Sequence, residues 1–312
     1  MKTINISYPH SFIQQDLPHT VSAIGFFDGI HRGHQKVIQT AVYEARKRQM
    51  ESAVITFHPH PSVVLKKGTK HVKYITPMSE KKAILESLDV DRLYVITFNK
   101  PLSSLSPEVF IDHFITGLNI KHLVAGFDFT YGYKGKGNME NIAQFTKGHF
   151  TYTTIPKVEY QGEKISSTKI RQYMENGNIQ AVNTLLGRPF RTSGTVIEGD
   201  KRGHTIGYPT ANIDVHEDTM LPTPGVYAVK VKIDDHLYEG MANLGFRPTF
   251  YTNQFEPNLE VHLLDFNDNI YGAKLQIDWY QFIRDEQKFN DIDELVKQLS
   301  KDEQQTKQFF KQ

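Results

Sequence analysis

No cysteine occurs among the 312 residues of the chain. This absence excludes disulfide bonds, thiolate zinc sites, iron–sulfur clusters and a cysteine nucleophile. A large excess of charge is also missing. The formal net charge is +1, so no overall positive field attracts a polyanion, which argues against a dedicated nucleic-acid-binding protein. Small phosphate ligands remain possible because a local cluster of donors is enough to bind them.

Long apolar runs are absent too. A membrane-spanning helix needs about 18 or more consecutive apolar residues, and the sequence contains no such run. The first residues, MKTINISYPHSF, have neither the apolar core nor the small-residue cleavage site of a secretory signal. We therefore expect a cytoplasmic location and no membrane partner.

The length of the chain favours two domains, since a domain usually has roughly 100 to 200 residues. In the first half, apolar runs typical of buried strands alternate with runs of helical spacing. The strand-like runs are 21–27, 52–57, 92–98, 121–129 and 150–156, and the helical runs are 33–49, 79–88 and 106–118. This alternation predicts a parallel, doubly wound sheet, in which ligands bind at the carboxyl ends of the strands.

The pattern changes after about residue 187, where short β-like runs such as GVYAVKVKID and LEVHLLDF follow one another closely. Without helices between most of them, they predict an antiparallel barrel or sandwich. A helical region, 292–310, closes the chain. Because a helical run ends at Gly187 ahead of Pro189, we expect one domain over 1–186 and a second over 187–312.

The segment AIGFFDGIHRGH, residues 23–34, lies where the first strand turns into the first helix. Asp28 and Gly29 supply the turn, and Gly33 allows close approach of the backbone to a ligand. The amides at the start of a helix favour an anion. The ring N–H groups of His31 and His34 can then donate to phosphate oxygens, which predicts a phosphate site.

Two other interpretations of these histidines stay open. They can be ordinary turn residues, or they can form a metal pair, since residues three apart share a helix face. The HPH segment at 58–60 would offer a third metal ligand, although its spacing is not an obvious match.

KISSTKIR, residues 164–171, places hydroxyl and cationic side chains at a predicted helix start. Ser167 and Thr168 can bind phosphate oxygens, while Lys169 and Arg171 can neutralise a leaving pyrophosphate. The alternative is a helix N-cap followed by solvated basic residues.

GDKRGHTIGYPTAN, residues 199–212, combines a flexible loop with two oxygen donors. Gly203 and Gly207 permit a tight loop over phosphates, and Thr210 and Asn212 project from the same side of an extended backbone. Such oxygens suit Mg²⁺ beside nucleotide phosphates. The alternative is an ordinary turn with Asx hydrogen bonds. Further along, alternation in EVHLLDF puts Glu260 and His262 on one strand face.

Taken together, these motifs resemble the prokaryotic bifunctional riboflavin kinase/FAD synthetase family. GFFDGIHRGH, ISSTKIR and AGFDFTYG (125–132) resemble its nucleotidyltransferase half, and PTAN, GVYAV, EVHLLDF and YGAKLQIDWYQFIRDEQKF resemble its kinase half. The resemblance implies an α/β Rossmann-like nucleotidyltransferase domain, followed by an antiparallel β-barrel riboflavin kinase domain with a C-terminal helix. It implies phosphorylation of riboflavin to FMN and adenylylation of FMN to FAD, with ATP and Mg²⁺.

The resemblance also implies residue roles. It makes Glu260 the base of the kinase reaction, and it places His31, His34 and Arg171 in the adenylylation reaction. Nucleotide-binding residues would be Gly25, Phe27, Asp28, Gly29, Gly33, Asp128, Ser167, Thr168, Lys169, Gly203 and Gly207. Thr210 and Asn212 would hold the metal, and Arg247 would contact the flavin.

Three rival hypotheses remain at this point. The first is a nucleotidyltransferase for another phosphorylated acceptor, with an unrelated β-domain attached. The second is a flavin- or nucleotide-binding regulator without turnover. The third is a metal-binding protein, suggested by the 14 histidines of the chain, which are scattered apart from HPH.

Overall fold

The computed structural model describes residues 1–66, 68, 71–199, 206–248 and 255–311, with side chains left out at 246–248, 255 and 256. The chain divides into two compact units, Met1–Ser166 and Ser167–Gln312. They are called the N-terminal unit and the C-terminal unit below.

The N-terminal unit contains ten strands and five helices among its described residues. The strands are β1 (Lys2–Ile6), β2 (Thr20–Ile24), β3 (Glu51–His58), β4 (Arg92–Thr97), β5 (Ile120–Gly126), β6 (Thr130–Tyr131), β7 (Gly137–Asn138), β8 (Thr151–Ile155), β9 (Glu159–Tyr160) and β10 (Glu163–Lys164). The helices are α1 (Arg32–Lys47), α2 (Pro61–Leu65), α3 (Met78–Ser87), α4 (Lys100–Ser103) and α5 (Pro107–Ile111), which continues into a π-helical turn, Asp112–Thr116. Short 3₁₀ turns are Gln14–Asp16, Tyr133–Gly135 and Ile142–Phe145.

Six of these strands form one parallel sheet in the order β1-β4-β3-β2-β5-β8. Apolar clusters cover both faces, one around Ile55 and Phe114 and the other around Val54 and Ile38. A parallel sheet buried on both faces needs such continuous apolar strands, so the predicted doubly wound sheet is confirmed. The carboxyl ends of β3, β2 and β5, which are neighbours, meet at one edge.

The C-terminal unit begins with helices α6 (Ser167–Glu175) and α7 (Ile179–Leu186). Within the described part of this unit, six strands follow: β11 (Phe190–Ile197), β12 (Ala211–Val215), β13 (Gly225–Ile233), β14 (His236–Pro248), β15 (Phe255–Leu263) and β16 (Lys274–Arg284). They close into an antiparallel barrel in the order β11-β12-β15-β14-β13-β16. Helix α8 (Ile292–Phe310) ends the fold. Of the two expected architectures, barrel or sandwich, the barrel is the correct one.

Helix α7 packs against the barrel. Asn183 joins it to two strands, because its Nδ2 donates to the Trp279 carbonyl at 2.8 Å and its Oδ1 accepts from the Phe190 amide at 2.7 Å. Gly187 ends the helix with a left-handed φ of 72°. The compact units therefore divide after Ser166, earlier than the predicted domain boundary between 186 and 187, which stays a prediction.

Helix α8 is attached to the barrel by a buried ion pair. Asp302 is fully buried, and Arg284 on β16 donates to it, with Nη2 2.8 Å from Oδ2 and Nε 3.0 Å from both oxygens. Gln298 on the same helix donates to Oδ1 at 2.8 Å. Removing one partner of such a pair leaves the other charge buried without a counter-ion.

We expect the Asp302→Ala substitution to destabilise the barrel by about 3 kcal/mol, because Arg284 then loses its buried counter-ion. Urea unfolding followed by the fluorescence of Trp279 measures this, since it is the single tryptophan of the chain and is fully buried in the barrel. Lys301→Ala, at an exposed neighbouring position, serves as the control and should leave the midpoint unchanged. Equal midpoints for the two variants would contradict the role of the ion pair.

Candidate functional sites

The turn after β2 has an unusual backbone fixed by the core. Phe27, Gly29 and Ile30 all have positive φ, at 52°, 89° and 39°. A branched residue such as Ile30 rarely adopts this conformation, and both apolar side chains are buried, Phe27 at 2% and Ile30 at 0% exposed. A Cβ atom at Gly25 would lie 2.9 Å from the ring of Phe27. The predicted strand 21–27 thus ends at Ile24, where the turn begins.

His31 and His34 lie together at the start of α1. His31 is the N-cap, and its Nδ1 accepts from the His34 amide at 3.2 Å. Since Nδ1 acts as an acceptor, the neutral ring of His31 carries its proton on Nε2. The two rings stack with centroids 3.6 Å apart and planes 18° apart. Gly33 leaves room for this stack, because a Cβ there would lie 3.1 Å from His31 Cε1.

The surroundings of His34 keep its imidazole uncharged. Burial lowers its pKa well below the usual value, and the charges of His31, Lys81 and Lys164 act in the same direction. In the described part of the chain, its Nδ1 is buried without a hydrogen-bond partner. An unpaired buried nitrogen is unfavourable, and a bound ligand or water would relieve it.

The carboxylate of Asp28 points into the protein. It is 4% exposed, and its Oδ1 accepts from the Thr76 amide at 3.1 Å. This bond joins the turn to the segment that leads into α3. The nucleotide-binding role expected of Asp28 stays a prediction.

Lys81 on α3 contacts the turn after β2, and the sequence reasoning did not single it out. Its side chain is buried, and Nζ donates to the Phe26 carbonyl at 2.8 Å. The segment 79–88 predicts an ordinary amphipathic helix. A signal was available, because Lys81 is in helical phase with Leu85 and Leu88 on the apolar face.

Asp128 lies just beyond β5, the neighbour of β2, and so at the same edge of the sheet as the histidine pair. Its Oδ2 accepts from Lys164 Nζ at 2.5 Å. Lys164 also lies over the ring of Phe127, 4.8 Å from its centroid. This edge therefore combines a carboxylate, a cation and an aromatic ring.

The KISSTKIR segment starts a helix as expected, and α6 begins at Ser167. The four predicted phosphate ligands lie on its first turns: Ser167, Thr168, Lys169 and Arg171. Lys169 Nζ lies 5.2 Å from the centroid of Tyr173, and Arg171 Nη1 lies 3.2 Å from Met220 Sδ. These residues belong to the C-terminal unit and the histidines to the N-terminal unit, so their joint action stays a prediction.

The barrel brings the predicted kinase residues together on β15 and its neighbours. Asn212 on β12 is the register partner of Glu260. Thr210 Oγ1 lies 3.4 Å from Glu260 Oε2, and Asn258 Nδ2 donates to Oε1 at 2.8 Å. Along β15, Leu259, Val261 and Leu263 are buried, so alternation places Asn258, Glu260 and His262 on the opposite, outer face. The sequence reasoning missed Asn258, although the same alternation points to it.

Two cavities lie on either side of Thr210. The first cavity has about 340 Å³ and is lined by Thr210, Glu260, His262, Arg284 and Leu299 among others. The second cavity has about 500 Å³, and its lining includes Thr210, Val196, Leu263, Phe266 and Tyr271. Thr210 lines both cavities, whereas Glu260 lines the first. Two ligands could therefore meet beside the carboxylate.

Two predicted residues are not described. Gly203 and the side chain of Arg247 lie outside the described residues. Gly207 is described and has a positive φ of 80°, which suits glycine.

Comparison with known proteins identifies both halves of the chain. Residues 13–169 match a family model described as FAD synthetase, and residues 186–310 match one described as riboflavin kinase. The chain belongs to the bifunctional riboflavin kinase/FAD synthetase family. The hypothesis of an unrelated β-domain after the nucleotidyltransferase half is therefore wrong.

Relatives of full length support this assignment. A bifunctional riboflavin kinase/FMN adenylyltransferase of Bacillus subtilis is 47% identical over 99% of this chain and 98% of its own. One from Listeria monocytogenes is 46% identical over the same shares. A solved structure from Streptococcus pneumoniae, described as a macrolide-efflux protein, is 36% identical with a TM-score of 0.89, covering 98% of this chain and 99% of its own. Among the described residues, no helix is long and apolar enough to cross a membrane.

The lowered pKa of His34 predicts a pH-dependent stability. As the pH falls below the usual value of 6.5, the unfolded chain binds a proton that the folded chain resists, so unfolding is favoured. Wild-type protein should therefore lose more stability than His34→Gln between about pH 7.5 and about pH 5.5. Thermal unfolding followed by circular dichroism measures the difference.

His149→Gln is the matched control, since His149 is exposed. It should lose stability on acidification as the wild type does. The same loss in His34→Gln would show that His34 is not a source of the pH dependence.

Proposed function

We propose that residues 187–312 phosphorylate riboflavin with ATP to give FMN and ADP, and that residues 1–186 adenylylate FMN with a second ATP to give FAD and pyrophosphate. The observation that carries the first part is the position of Glu260 beside Thr210, where the two cavities adjoin. The stacked histidine pair at the start of α1 carries the second. We propose a cytoplasmic location for both reactions.

The kinase reaction needs a base. The attacking group is the primary hydroxyl of riboflavin, which is un-ionised at neutral pH, so a positioned carboxylate assists proton removal. Glu260 is the candidate, and its hydrogen bond from Asn258 limits the rotation of the carboxylate. The proton moves from the riboflavin hydroxyl to Glu260 as the oxygen attacks the γ-phosphorus.

The cavities suit the two substrates of this reaction. Riboflavin would occupy the first cavity, because Glu260 lines it, and ATP would occupy the second cavity. The two would then meet at Thr210, with the γ-phosphate next to the hydroxyl. The loop at Gly203 and Gly207 would cover the phosphates, and Arg247 would contact the flavin.

Thr210 and Asn212 have the chemistry of Mg²⁺ ligands. Both side chains supply oxygen atoms, which Mg²⁺ prefers to nitrogen and sulfur. A side chain at Gly199 would collide with the amide of Asn212, so the glycine leaves room for that amide. Bound Mg²⁺ would neutralise charge on the phosphates of ATP.

The adenylylation reaction needs no base. The attacking group is the phosphate of FMN, which already carries about −1.5 to −2 charges at neutral pH. The barrier comes from repulsion between anions and from the charge on the leaving pyrophosphate, so donors and cations are required. His31 and His34 would donate to the α-phosphate of ATP, with Gly25, Phe27, Gly29 and Gly33 shaping the turn around it.

Other residues would complete this second site. Asp128 would orient the nucleotide or the flavin phosphate. Ser167 and Thr168 would bind phosphate oxygens, while Lys169 and Arg171 would neutralise pyrophosphate.

The direct test is incubation of the protein with riboflavin, ATP and Mg²⁺, followed by chromatography of the flavins. We expect FMN and FAD to appear at the expense of riboflavin. Unchanged riboflavin would favour a binding regulator or a metal-binding protein instead. Omission of Mg²⁺ should stop both reactions.

Substitution of Glu260 should separate the two reactions. We expect Glu260→Gln to lower FMN formation from riboflavin by about 10² to 10⁴-fold, because the base is lost. FAD formation from supplied FMN should continue. Glu239→Gln is the matched control, because Glu239 is a half-buried carboxylate on the neighbouring strand β14. This variant should retain both activities. Loss of FAD formation in folded Glu260→Gln would contradict the division of roles.

Substitution of His34 should have the opposite effect. We expect His34→Ala to lower FAD formation from FMN by about 10²-fold or more, since a donor to the transition state is removed. FMN formation from riboflavin, measured on the same sample, should remain at the wild-type rate. Parallel loss of both rates would argue against two separate sites.

A further inference from the structure

Lys81 is a buried cation for which the proposed reactions have no direct use. It is 2% exposed on α3. Its Nζ donates to the Phe26 carbonyl at 2.8 Å and to Thr56 Oγ1 at 3.2 Å, and it lies 5.0 Å from the centroid of the Phe26 ring. Thr56 Oγ1 donates to the same carbonyl at 2.9 Å. The Phe26 carbonyl is thus held by two donors from two different elements.

Burying an ammonium group is costly, so its presence needs a reason. Burial lowers the pKa of Lys81 to about 8, and the carboxylate of Asp28 partly opposes that shift. Lys81 is therefore still mostly protonated at neutral pH. An unbranched apolar residue such as methionine would fill similar space without this cost, which indicates that the charge matters.

The contacts of Lys81 lead to the histidine pair. Phe26 directly precedes Phe27, the first residue of the turn with a positive φ, so fixing its carbonyl fixes the entry to the turn. The ring of Phe27 packs edge-on against His34, with centroids 5.3 Å apart. Lys81 also acts on His34 electrostatically, together with His31 and Lys164.

We propose that Lys81 is a positioning residue for adenylylation: it holds the Phe26 carbonyl and places a positive charge near the stacked histidines. This inference rests on the proposed role of His31 and His34. Two imidazolium rings 3.6 Å apart repel each other. A nearby cation disfavours protonation of the second ring, so the stack would persist with its N–H groups placed to donate to a bound phosphate.

Three variants of the full chain separate the two parts of this role. Lys81→Met removes both the charge and the hydrogen bond. Lys81→Gln removes the charge and keeps a donor. Thr56→Val removes the other hydrogen bond to the same carbonyl and keeps the charge, so it is the matched control.

Three measurements are made on each variant. The first is kcat and KM for FAD formation from FMN and ATP. The second is the rate of FMN formation from riboflavin, which reports that the C-terminal unit is intact, while the histidine NMR signals of the third measurement report that the N-terminal unit is folded. The third is the pKa of His34 in the free protein, from NMR titration of histidine-labelled samples with His34→Gln used for assignment. The charged groups that face the pair and must be considered are Asp28, His31 and Lys164.

We expect Lys81→Met to lower kcat for adenylylation by about tenfold or more, because small displacements of reacting groups are costly. The kinase rate should stay within about twofold, since Lys81 lies in the N-terminal unit. The pKa of His34 should rise by about 0.5 in both Lys81 variants. Lys81→Gln should recover part of kcat, and Thr56→Val should leave the pKa of His34 unchanged.

Several results would overturn the proposal. One is a wild-type adenylylation kcat in both Lys81 variants, and another is an unchanged pKa of His34 in both. An equal pKa change in Thr56→Val would assign the effect to turn geometry alone. If Lys81→Met does not fold, the comparison of Lys81→Gln with Thr56→Val still tests the proposal through kcat and the pKa of His34. Failure of the proposed function is a separate result: His34→Ala would then keep full adenylylation, while the pKa of His34 would still test Lys81.

Discussion

The N-terminal site depends on one backbone constraint, the shape of the turn between β2 and α1. The apolar side chains of Phe27 and Ile30 are buried with left-handed backbone conformations, a combination that only a well-packed core can hold. This turn delivers His31 to the N-cap of α1, where its Nδ1 accepts the amide of His34. The ring stack, the tautomer of His31 and the low pKa of His34 all follow from that placement. A looser turn would release each of them.

The two proposed reactions make opposite demands on their surroundings, and the two units meet them differently. In the proposed mechanism, phosphoryl transfer to an alcohol uses a carboxylate, and the barrel has Glu260 on its outer face, held by the amide of Asn258. Attack by an existing phosphate anion would use donors and positive charge, and the sheet edge has the stacked histidines beside buried or paired cations. Both sites use side chains at the ends of elements or on the faces of strands. At these places, the alternation of side chains along a strand and the order of the strands in the sheet determine where each side chain points.

Much of the architecture could be predicted from the sequence, because buried strands appear as continuous apolar runs and the helices between them show apolar residues at helical spacing. The exceptions have physical causes. The predicted strand 21–27 includes Phe26 and Phe27, which are apolar as in a buried strand. The backbone turns there instead, because packing of the two rings outweighs their preference for an extended conformation. Lys81 was missed because its importance depends on Thr56 and Phe26, which come from other elements. Asn258 could have been found, since period-two alternation places it beside Glu260.

The position of α7 has a practical consequence for dissecting the protein. Asn183 is bonded to both the first and the last strand of the barrel, and Val182, Leu185 and Leu186 are buried. A fragment beginning at residue 187 would lack α7 and would therefore expose an apolar surface of the barrel. The Trp279 carbonyl and the Phe190 amide would lose their hydrogen bonds with Asn183. A fragment beginning at Ser167 would keep that surface covered, but it would separate Arg171 from the N-terminal unit, with which it is proposed to act. Neither of these two cuts therefore keeps both the packing of α7 and the full set of residues proposed for adenylylation.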